Sequence, residues 1–265
     1  MIIEFIGLPC SGKSYCYLKL KQSLKIETFS YIDIFYIYSK KIIYLNPLQS
    51  IYFELSYKIY KKNIKNIKFY NTKKKIKNNF NILSNLKNEI KDILQINENQ
   101  IKKNFLNQLN YKEKKLLKIL YSCVKKTPIN LDEKKILKDR VEKEFIAGIL
   151  IKKLNLYKLN IINEEGFYQR ILTAYKNKKE IFKYIDVFKK FLKINYIILK
   201  KTSLHNIIIR SKKRKNGFKY KNISSKEIEI WQKKFDNIKL KKKLNIIKNP
   251  NIKKIKKLIK SKNLY

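Results

Sequence analysis

One run of residues near the start of the chain has the types and spacing of a phosphate-binding loop. Residues 7–14, GLPCSGKS, fit the pattern G-x-x-x-x-G-K-[ST] at every fixed position. The two glycines allow turns in which successive backbone N–H groups point inward at phosphate oxygens. Lys13 would then reach the outer phosphates of a nucleotide, and the Ser14 hydroxyl would bind Mg²⁺. The predicted phosphate-binding residues are Gly7, Pro9, Cys10, Ser11, Gly12, Lys13 and Ser14.

The residues on either side supply the strand and the helix that such a loop requires. Residues 2–6, IIEFI, form a short apolar run typical of a buried strand, and residues 15–24 have apolar side chains at helical spacing. A helix that begins near Lys13 would direct its unpaired N–H groups and the positive end of its dipole at the phosphates. The alternative is a glycine-rich turn without a ligand, and the complete pattern in this context favours the phosphate site.

A pair of acidic residues follows a second apolar run. Residues 159–163, LNIIN, predict a strand, and Glu164 and Glu165 come directly after it, before a glycine. A carboxylate at such a strand end can hold Mg²⁺ or orient a hydroxyl that attacks a phosphate. We expect Glu164 to share the metal with Ser14, and Glu165 to orient the hydroxyl or accept its proton. A surface acidic turn is the alternative.

The arginines are informative because lysine fills nearly every other basic position. Of 64 basic residues only four are arginine, namely Arg140, Arg170, Arg210 and Arg214. A guanidinium group offers a rigid fork of donors to a phosphate or carboxylate, whereas lysine offers a point charge. We therefore expect each arginine to lie where lysine would not serve, with a structural ion pair as the alternative. Arg210 and Arg214 are four residues apart, so on a helix they would share one face and bind an anion between them.

The strong positive charge has a simpler explanation than a nucleic-acid partner. The formal net charge is +44 at pH 7, a value typical of proteins that bind nucleic acids. Here the excess of lysine accompanies an excess of asparagine, isoleucine and tyrosine along the whole chain. A+T-rich codons encode all four, so a mutational bias explains them together. We therefore favour compositional bias, and we expect from the charge only salt-sensitive, non-specific adhesion to nucleic acids.

The sequence indicates a cytoplasmic protein. No run of about 18 apolar residues is present, so we expect no membrane-spanning helix. The apolar start is shorter than a signal peptide and leads directly into the glycine loop. Cys10, Cys16 and Cys123 lack the spacing of a metal site, and we expect free thiols in a reducing compartment. The one histidine, His205, cannot build a histidine metal site by itself.

The order of the predicted elements indicates the fold class. Apolar runs predict five strands, at residues 2–6, 25–29, 159–163, 196–199 and 244–247. Helical patterns separate these runs, which predicts an α/β fold with a parallel sheet of about five strands and helices on both faces. Asp33 lies just past the second predicted strand, at the edge where open sheets bind ligands. It is therefore a candidate for binding the phosphate acceptor, with a turn aspartate as the alternative.

The segment from Pro47 to about Asn155 has a helical pattern throughout. We interpret residues 47–135 as a helical insertion between the second and third strands of one domain that spans 1–265. Arg140, on the last helix of this segment, would reach into the acceptor pocket. Apolar stripes that we predict to be core recur along the segment. They comprise Leu48, Ile51, Tyr52, Leu55 and Ile59; Ile82, Leu83, Leu86, Ile90, Ile93 and Leu94; Leu116, Leu117, Leu120 and Val124; and Ile136, Leu137, Val141, Phe145 and Ile149.

Taken together, these motifs resemble those of the P-loop nucleoside and nucleotide kinases, most closely the thymidylate-kinase-like group of P-loop NTPases. Residues 7–14 match their Walker A loop, and residues 196–214, YIILKKTSLHNIIIRSKKR, are similar to their strand, helix and R-x-x-x-R lid. The resemblance implies that Arg210 and Arg214 contact the phosphates and stabilise the transferring group. It also implies that Arg170 lies near the acceptor, and that Arg140 belongs to the acceptor side.

The resemblance implies ATP as the phosphate donor and Mg²⁺ as its metal, and it leaves the acceptor open. The Asp-Arg-Tyr type of motif that the family has after its third strand is replaced here by Glu164-Glu165-Gly166, with Arg170 further on. The helical insertion is long and does not match the family. The pattern Glu-Gly-x-x-Gln-Arg is also similar to kinase-like proteins of surface-polysaccharide gene clusters, so a nucleoside, a nucleotide or a sugar-like metabolite would each fit.

Three functions are consistent with these residues. The first is ATP- and Mg²⁺-dependent transfer of a phosphoryl group to a small-molecule acceptor. The second is a P-loop ATPase or nucleotide-binding regulatory protein whose helical insertion binds a protein or a nucleic acid. The third is phosphorylation of a nucleic-acid end. No N-K-x-D motif is present, and no other base-specific motif distinguishes ATP from GTP as the donor.

Overall fold

In the computed structural model of the protein, a parallel β-sheet of four strands lies at the centre of the described residues. The structure describes residues 1–8, 10–24, 27–39, 47–66, 98–127, 129–175, 177–213, 226, 228–230, 233 and 245–262. The strands are β1 (Ile2–Ile6), β2 (Ile161–Asn163), β3 (Tyr196–Leu199) and β4 (Ile246–Lys248). Their order in the sheet is β2-β1-β3-β4, and all pairs are parallel.

The fold class predicted from the sequence is confirmed, but the described sheet has four strands and not about five. The predicted strand at 25–29 is wrong for its described end, where only Phe29 pairs, in an isolated parallel bridge with Ile161. The next residue, Ser30, accepts a hydrogen bond from the Asp33 N–H and caps a helix. The chain therefore turns into that helix after a single bridge, before a strand can extend.

Helices surround the sheet within the described residues, and ten α-helices among them are labelled here. They are α1 (Lys13–Ser23), α2 (Tyr31–Tyr38), α3 (Pro47–Asn66), α4 (98–107), α5 (Tyr111–Lys126), α6 (Leu131–Lys153), α7 (Phe167–Ala174), α8 (Lys178–Phe191), α9 (Leu204–Lys212) and α10 (Ile252–Lys262). None of them is both long enough and apolar enough to cross a bilayer.

The side chains of β1 alternate between two hydrophobic cores. Ile3 and Phe5 pack with residues of α1 and α10, whereas Ile2 and Ile6 pack with residues of the larger helical layer on the opposite face. Every residue of β1 is buried, as expected for a central parallel strand covered on both faces. Glu4 alternates with these apolar residues, and it is completely buried on the larger side.

The predicted core stripes have different outcomes. The stripe Leu116, Leu117, Leu120 and Val124 is buried, and so are Val141, Phe145 and Ile149 of α6. Ile136 is 71% exposed and Leu137 is half-buried, because none of residues 131–140 in the first part of α6 is buried. In the stripe of α3, Leu48, Ile51, Leu55 and Ile59 are exposed and Tyr52 is half-buried, so the assignment of this stripe to the core is wrong. In α3 the opposite face, which carries Phe53, packs against aromatic rings of α2. The stripe at 82–94 lies outside the described residues.

Candidate active site

The glycine loop has the backbone geometry that a phosphate site requires. Gly7 and Gly12 have φ of +142° and +95°, in a region that favours glycine. A Cβ on Gly7 would lie 2.3 Å from the backbone oxygen of Lys200, so the loop approaches the end of β3 too closely for any side chain. Gly12 is the N-cap of α1 and has no side chain to bind the first N–H groups of the helix. These N–H groups can therefore bind an anion.

Lys13 is folded back onto its own loop. Its ammonium donates hydrogen bonds to the backbone oxygens of Gly7 at 2.7 Å and Leu8 at 3.0 Å, and it lies 3.4 Å from Glu165 Oε1. The residue is only 4% exposed. Burial lowers the pKa of Lys13, although the neighbouring carboxylates of Glu165 and Glu164 oppose this shift. Two of the three acceptors around the ammonium are neutral backbone oxygens, which the oxygens of an anionic ligand could replace.

The predicted metal-binding pair is brought together by the fold. The Ser14 hydroxyl, in the first turn of α1, donates a hydrogen bond to Glu164 Oε1, in the turn after β2. A hydroxyl and a carboxylate side by side are hard oxygen donors of the kind that Mg²⁺ prefers. The described residues contain no group of three His, Cys, Asp or Glu that could hold a metal ion alone. A Mg²⁺ ion here would therefore need phosphate oxygens and water as further ligands.

Glu165 is the centre of an ion-pair network. Arg170 Nη1 donates to Glu165 Oε2 at 2.9 Å, and Arg170 Nη2 donates to Glu144 Oε1 at 3.2 Å. Arg140 Nε donates to the same Glu144 oxygen at 2.9 Å. Burial would raise the pKa of Glu165, but the cations of Lys13, Arg170 and Arg140 lower this pKa to about 2. The side chain of Glu165 is therefore ionised at neutral pH.

Gln169 also contacts the glycine loop, although the sequence did not predict a role for this residue. Its side-chain oxygen accepts a hydrogen bond from the Gly7 N–H at 2.8 Å, and its amide nitrogen donates to Thr173 Oγ1 at 3.0 Å. The residue is buried on α7, one position before Arg170. The pattern Glu-Gly-x-x-Gln-Arg contains the glutamine, but only the tertiary structure shows that it binds the first glycine of the loop.

Of the remaining predicted site residues, Arg210 contacts the loop and Asp33 does not line the cleft. Arg210 Nη1 donates to the Cys10 backbone oxygen at 3.3 Å, so Arg210 reaches the loop. Asp33 lies in the first turn of α2, where its carboxylate accepts hydrogen bonds from the Ser30 N–H and hydroxyl and pairs with Lys21 at 3.3 Å. The predicted position of Asp33 at a strand end is therefore wrong, because the helix begins before it. Pro9 and Arg214 lie outside the described residues.

An open cleft of about 1100 Å³ joins these groups. Beyond the loop on the β3 and β4 side, it is lined by Lys200, Lys201, Thr202, Pro250, Asn251 and Ile252. On the β2 side, it is lined by Thr127, Ile129, Leu137, Glu164, Glu165, Gln169, Arg170 and Thr173. Asp33 and Arg140 are not among the lining residues. Because β1 lies between β2 and β3, the loop at its end lies between the two sides of the cleft.

Comparisons with known proteins give a structural likeness and no family assignment. No family model matches the chain, and no curated protein sequence matches it. Similar solved structures include deoxyadenosine kinase from M. mycoides with dCTP (15% identity, TM-score 0.40, 99% of this chain and 98% of that one). The same kinase with products dCMP and a flexible dCDP has 14% identity, TM-score 0.39 and the same coverage. With dATP it has 14% identity, TM-score 0.39 and complete coverage of both chains. The function proposed below rests on the geometry of the cleft.

Proposed function

We propose that this protein transfers a phosphoryl group from ATP to the hydroxyl of a small molecule, with Mg²⁺. The observation that carries the proposal is the meeting of two carboxylates with the phosphate-binding loop in one cleft. Glu164 accepts a hydrogen bond from Ser14, and Glu165 lies 3.4 Å from Lys13. A loop that only holds a nucleotide does not need a second carboxylate fixed beside its lysine, whereas phosphoryl transfer needs a group that orients the attacking hydroxyl.

The donor phosphates would bind at the beginning of α1. The N–H groups after Gly12 and the helix dipole would stabilise their charge, and Lys13 would exchange its contacts with the backbone oxygens of Gly7 and Leu8 for phosphate oxygens. Mg²⁺, held by Ser14 and by Glu164, would neutralise charge between the outer phosphates. Arg210 would add a cation on the other side of the loop.

Glu165 would orient the acceptor. Because the pKa of Glu165 is lowered to about 2, this carboxylate is a weak base and acts mainly by accepting a hydrogen bond from the attacking hydroxyl. A weak base suffices, since the transferring group is loosely bonded in the transition state and the hydroxyl loses its proton late. Both terminal nitrogens of Arg170 are bound to carboxylates, so Arg170 would hold Glu165 in place as well as face the acceptor.

The two-sided cleft favours a small acceptor over a macromolecule. The β3 and β4 side can take the donor, and the β2 side, with Thr127, Ile129, Leu137 and Thr173, can take a second small molecule next to Glu165. Nucleosides, nucleotides and sugar-like metabolites are the candidate acceptors. A protein or nucleic-acid partner would instead be expected to stimulate hydrolysis of ATP without any small acceptor.

The test is a screen for acceptor-stimulated formation of ADP, followed by substitution of Lys13. Wild-type protein with ATP and Mg²⁺ should form ADP slowly alone and faster with one class of nucleoside, nucleotide or sugar. Lys13→Ala should abolish this turnover and keep the circular dichroism spectrum. Lys19→Ala is the matched control, because Lys19 is an exposed lysine on the same helix. Equal turnover in Lys13→Ala, or stimulation by a macromolecule alone, would contradict the proposal.

A further inference from the structure

Glu4 is a completely buried carboxylate that the proposed chemistry does not use. It lies in the middle of β1, opposite Asn163 of β2 and Ile197 of β3. The side chain is 0% exposed and points into the larger core. All other residues of the strand are apolar. Burying a carboxylate costs free energy unless donors bind it. The donors that it binds therefore show what the residue does.

Three donors converge on Glu4, and two of them are the first N–H groups of α7. Tyr31 Oη donates to Oε1 at 2.7 Å. The Phe167 N–H donates to Oε1 at 3.2 Å, and the Tyr168 N–H donates to Oε2 at 3.3 Å. The N-cap of α7 is Gly166, which has no side chain to satisfy these groups. Glu4 thus acts as the cap of α7 from strand β1, with its carboxyl oxygens at the positive end of the helix dipole.

The backbone at Gly166 is shaped to allow this contact. A Cβ on Gly166 would lie 2.2 Å from both Cδ and Oε1 of Glu4. The backbone of Gly166 is extended, a conformation open to any residue, so the space taken by the carboxylate is the reason for glycine here. Gly166 directly follows Glu164 and Glu165, which carry the proposed chemistry. The position of Glu4 is therefore coupled to the turn that presents both carboxylates.

A second contact fixes the same helix to the same strand. Gln169, in the first turn of α7, accepts a hydrogen bond from the N–H of Gly7 at the end of β1. The strand therefore binds α7 at two points, through the Glu4 side chain at the first turn of the helix and through the Gly7 backbone at Gln169. Both contacts lie in the first turn of α7, so together they fix the beginning of this helix against β1.

We propose that Glu4 is a positioning residue of the phosphoryl-transfer site. By binding the first N–H groups of α7, it holds Glu164, Glu165 and Arg170 at the distance from the glycine loop that transfer requires. This inference rests on the proposed function, and it adds a residue that touches neither substrate. Displacements of about 1 Å in a catalytic group can lower a rate by about 10²-fold, so the loss of this anchor should be visible in turnover.

The experiment removes the contact from each side. Glu4→Ala deletes the carboxylate, Gly166→Ala displaces it, and Glu4→Gln keeps its shape and one acceptor oxygen. Glu98→Gln is the matched control, because Glu98 is also a buried glutamate but lies on α4, bonded to Tyr36 and Lys143. For each variant kcat, KM and the Kd for ATP are measured, together with backbone hydrogen exchange by mass spectrometry.

We expect both alanine variants to lower kcat about 30-fold and to change the Kd for ATP less than about 3-fold. Glu4→Gln should lower kcat only about 5-fold, since one oxygen still accepts. Exchange should become faster in the peptide that contains Phe167 and Tyr168 and stay unchanged in α1. Glu98→Gln should leave kcat within about 2-fold of the wild type.

Several results would overturn the inference. One is a kcat in Glu4→Ala or Gly166→Ala within about 2-fold of the wild type, and another is unchanged exchange at Phe167 and Tyr168. A third is a parallel loss of ATP binding and kcat, which a merely structural role would give. If Glu4→Ala does not fold, Glu4→Gln and Gly166→Ala decide. Exchange needs no turnover, so a wild-type protein that transfers no phosphate would contradict the proposed function, while exchange alone would still decide whether Glu4 anchors α7.

Discussion

Lys13 and Lys102 are both buried lysines beside carboxylates, and they differ in what else they contact. Lys13 binds two neutral backbone oxygens and lies 3.4 Å from one carboxylate. Lys102, on α4, pairs with both Asp139 and Glu142. Burial lowers the pKa of Lys13. At Lys102 burial acts in the same direction, but hydrogen bonds and charge from Asp139 and Glu142 outweigh it and raise the pKa.

The difference teaches how to separate a ligand site from a structural ion cluster. The cation of Lys102 is balanced by two acidic side chains, and it needs no further anion to be stable. Two of the three acceptors around the Lys13 ammonium are neutral oxygens, and Lys13 lines an open cleft next to helix N–H groups that have no side-chain cap. A buried cation that lacks enough charged partners, and that faces solvent-accessible space, indicates where an anionic ligand binds.

The prediction with the largest expected effect tests the difference between Lys13 and Lys102 directly. Lys13→Ala should lower kcat/KM about 10³-fold, because it removes a donor to the transferring phosphate. Lys102→Ala should keep kcat/KM within about 3-fold and lower the free energy of unfolding by about 3 kcal/mol, because it removes the buried cation that bridges Asp139 and Glu142. Coupled ADP assays and urea unfolding measure the two quantities. A loss of activity in Lys102→Ala as large as in Lys13→Ala would remove the distinction.

The next effect concerns the cations around Glu165. Arg170→Gln should lower kcat about 10²-fold and raise the pKa of Glu165 from its value of about 2, because the nearest guanidinium is lost. The ionised carboxylate is the active form, so the rate of the variant should fall as the pH decreases toward the usual carboxyl range of about 4.3, whereas the wild-type rate should not. The measurement is kcat against pH between about 4.5 and 8, within the range where both proteins stay folded. Identical profiles would show that Arg170 does not set the charge of Glu165.

A third effect distinguishes Glu4 from the carboxylates of the cleft. Burial raises the pKa of Glu4 to about 7, although the hydrogen bonds from Tyr31, Tyr168 and Phe167 oppose this shift and Glu144 adds to it. The folded state therefore holds the Glu4 proton more tightly than the unfolded state. The resulting stability is complete below about pH 4.5 and is lost as the pH rises through about 7.

Glu4→Gln cannot titrate and serves as the reference for this effect. The free energy of unfolding of the wild type, relative to Glu4→Gln, should decrease by about 3 kcal/mol between pH 4.5 and 8. Urea unfolding at a series of pH values measures the difference. A difference that is constant with pH would mean that Glu4 titrates as it does in an unfolded chain.

The smallest expected effect sharpens the role of the exposed cation at the loop. Arg210→Ala should lower kcat about 10-fold with little change in KM for ATP, because the exposed Arg210 contacts the loop through one long hydrogen bond to the Cys10 backbone oxygen. Lys213→Ala is the matched control, since Lys213 is an exposed cation just past the same helix. A change in Arg210→Ala no larger than in Lys213→Ala would exclude Arg210 from the transfer step.

The elements around the candidate site that the sequence predicted correctly are local ones. The strand before the glycine loop, the helix after it and the strand before the acid pair are each encoded in consecutive residues, so pattern and spacing suffice to find them. Isoleucine-rich runs predicted the strands of the sheet. Helices separate these runs along the chain, which is consistent with the parallel pairing of the strands. The meeting of Ser14 with Glu164 was predictable because carboxyl ends of neighbouring parallel strands share one edge of a sheet.

What the sequence did not predict depends on contacts between distant elements. Glu144 and Gln169 became visible only when α6 and α7 were placed beside the loop. The periodicity of α3 identified an apolar stripe, but periodicity cannot say which of two apolar faces is buried, and the face with Phe53 packs inward. The strand predicted at 25–29 was lost because the cap of α2 at Ser30 competes with strand pairing.

The close approach of Glu4 and Gly166 has a consequence for how this protein can evolve. Position 166 cannot gain a side chain while position 4 keeps its glutamate, because a methyl group at 166 and a glutamate at 4 would occupy the same space. Sequences descended from a common ancestor should therefore show the two positions varying together. A side chain at 166 should accompany a shorter residue at 4, and lineages that keep the glutamate should keep the glycine 162 positions away.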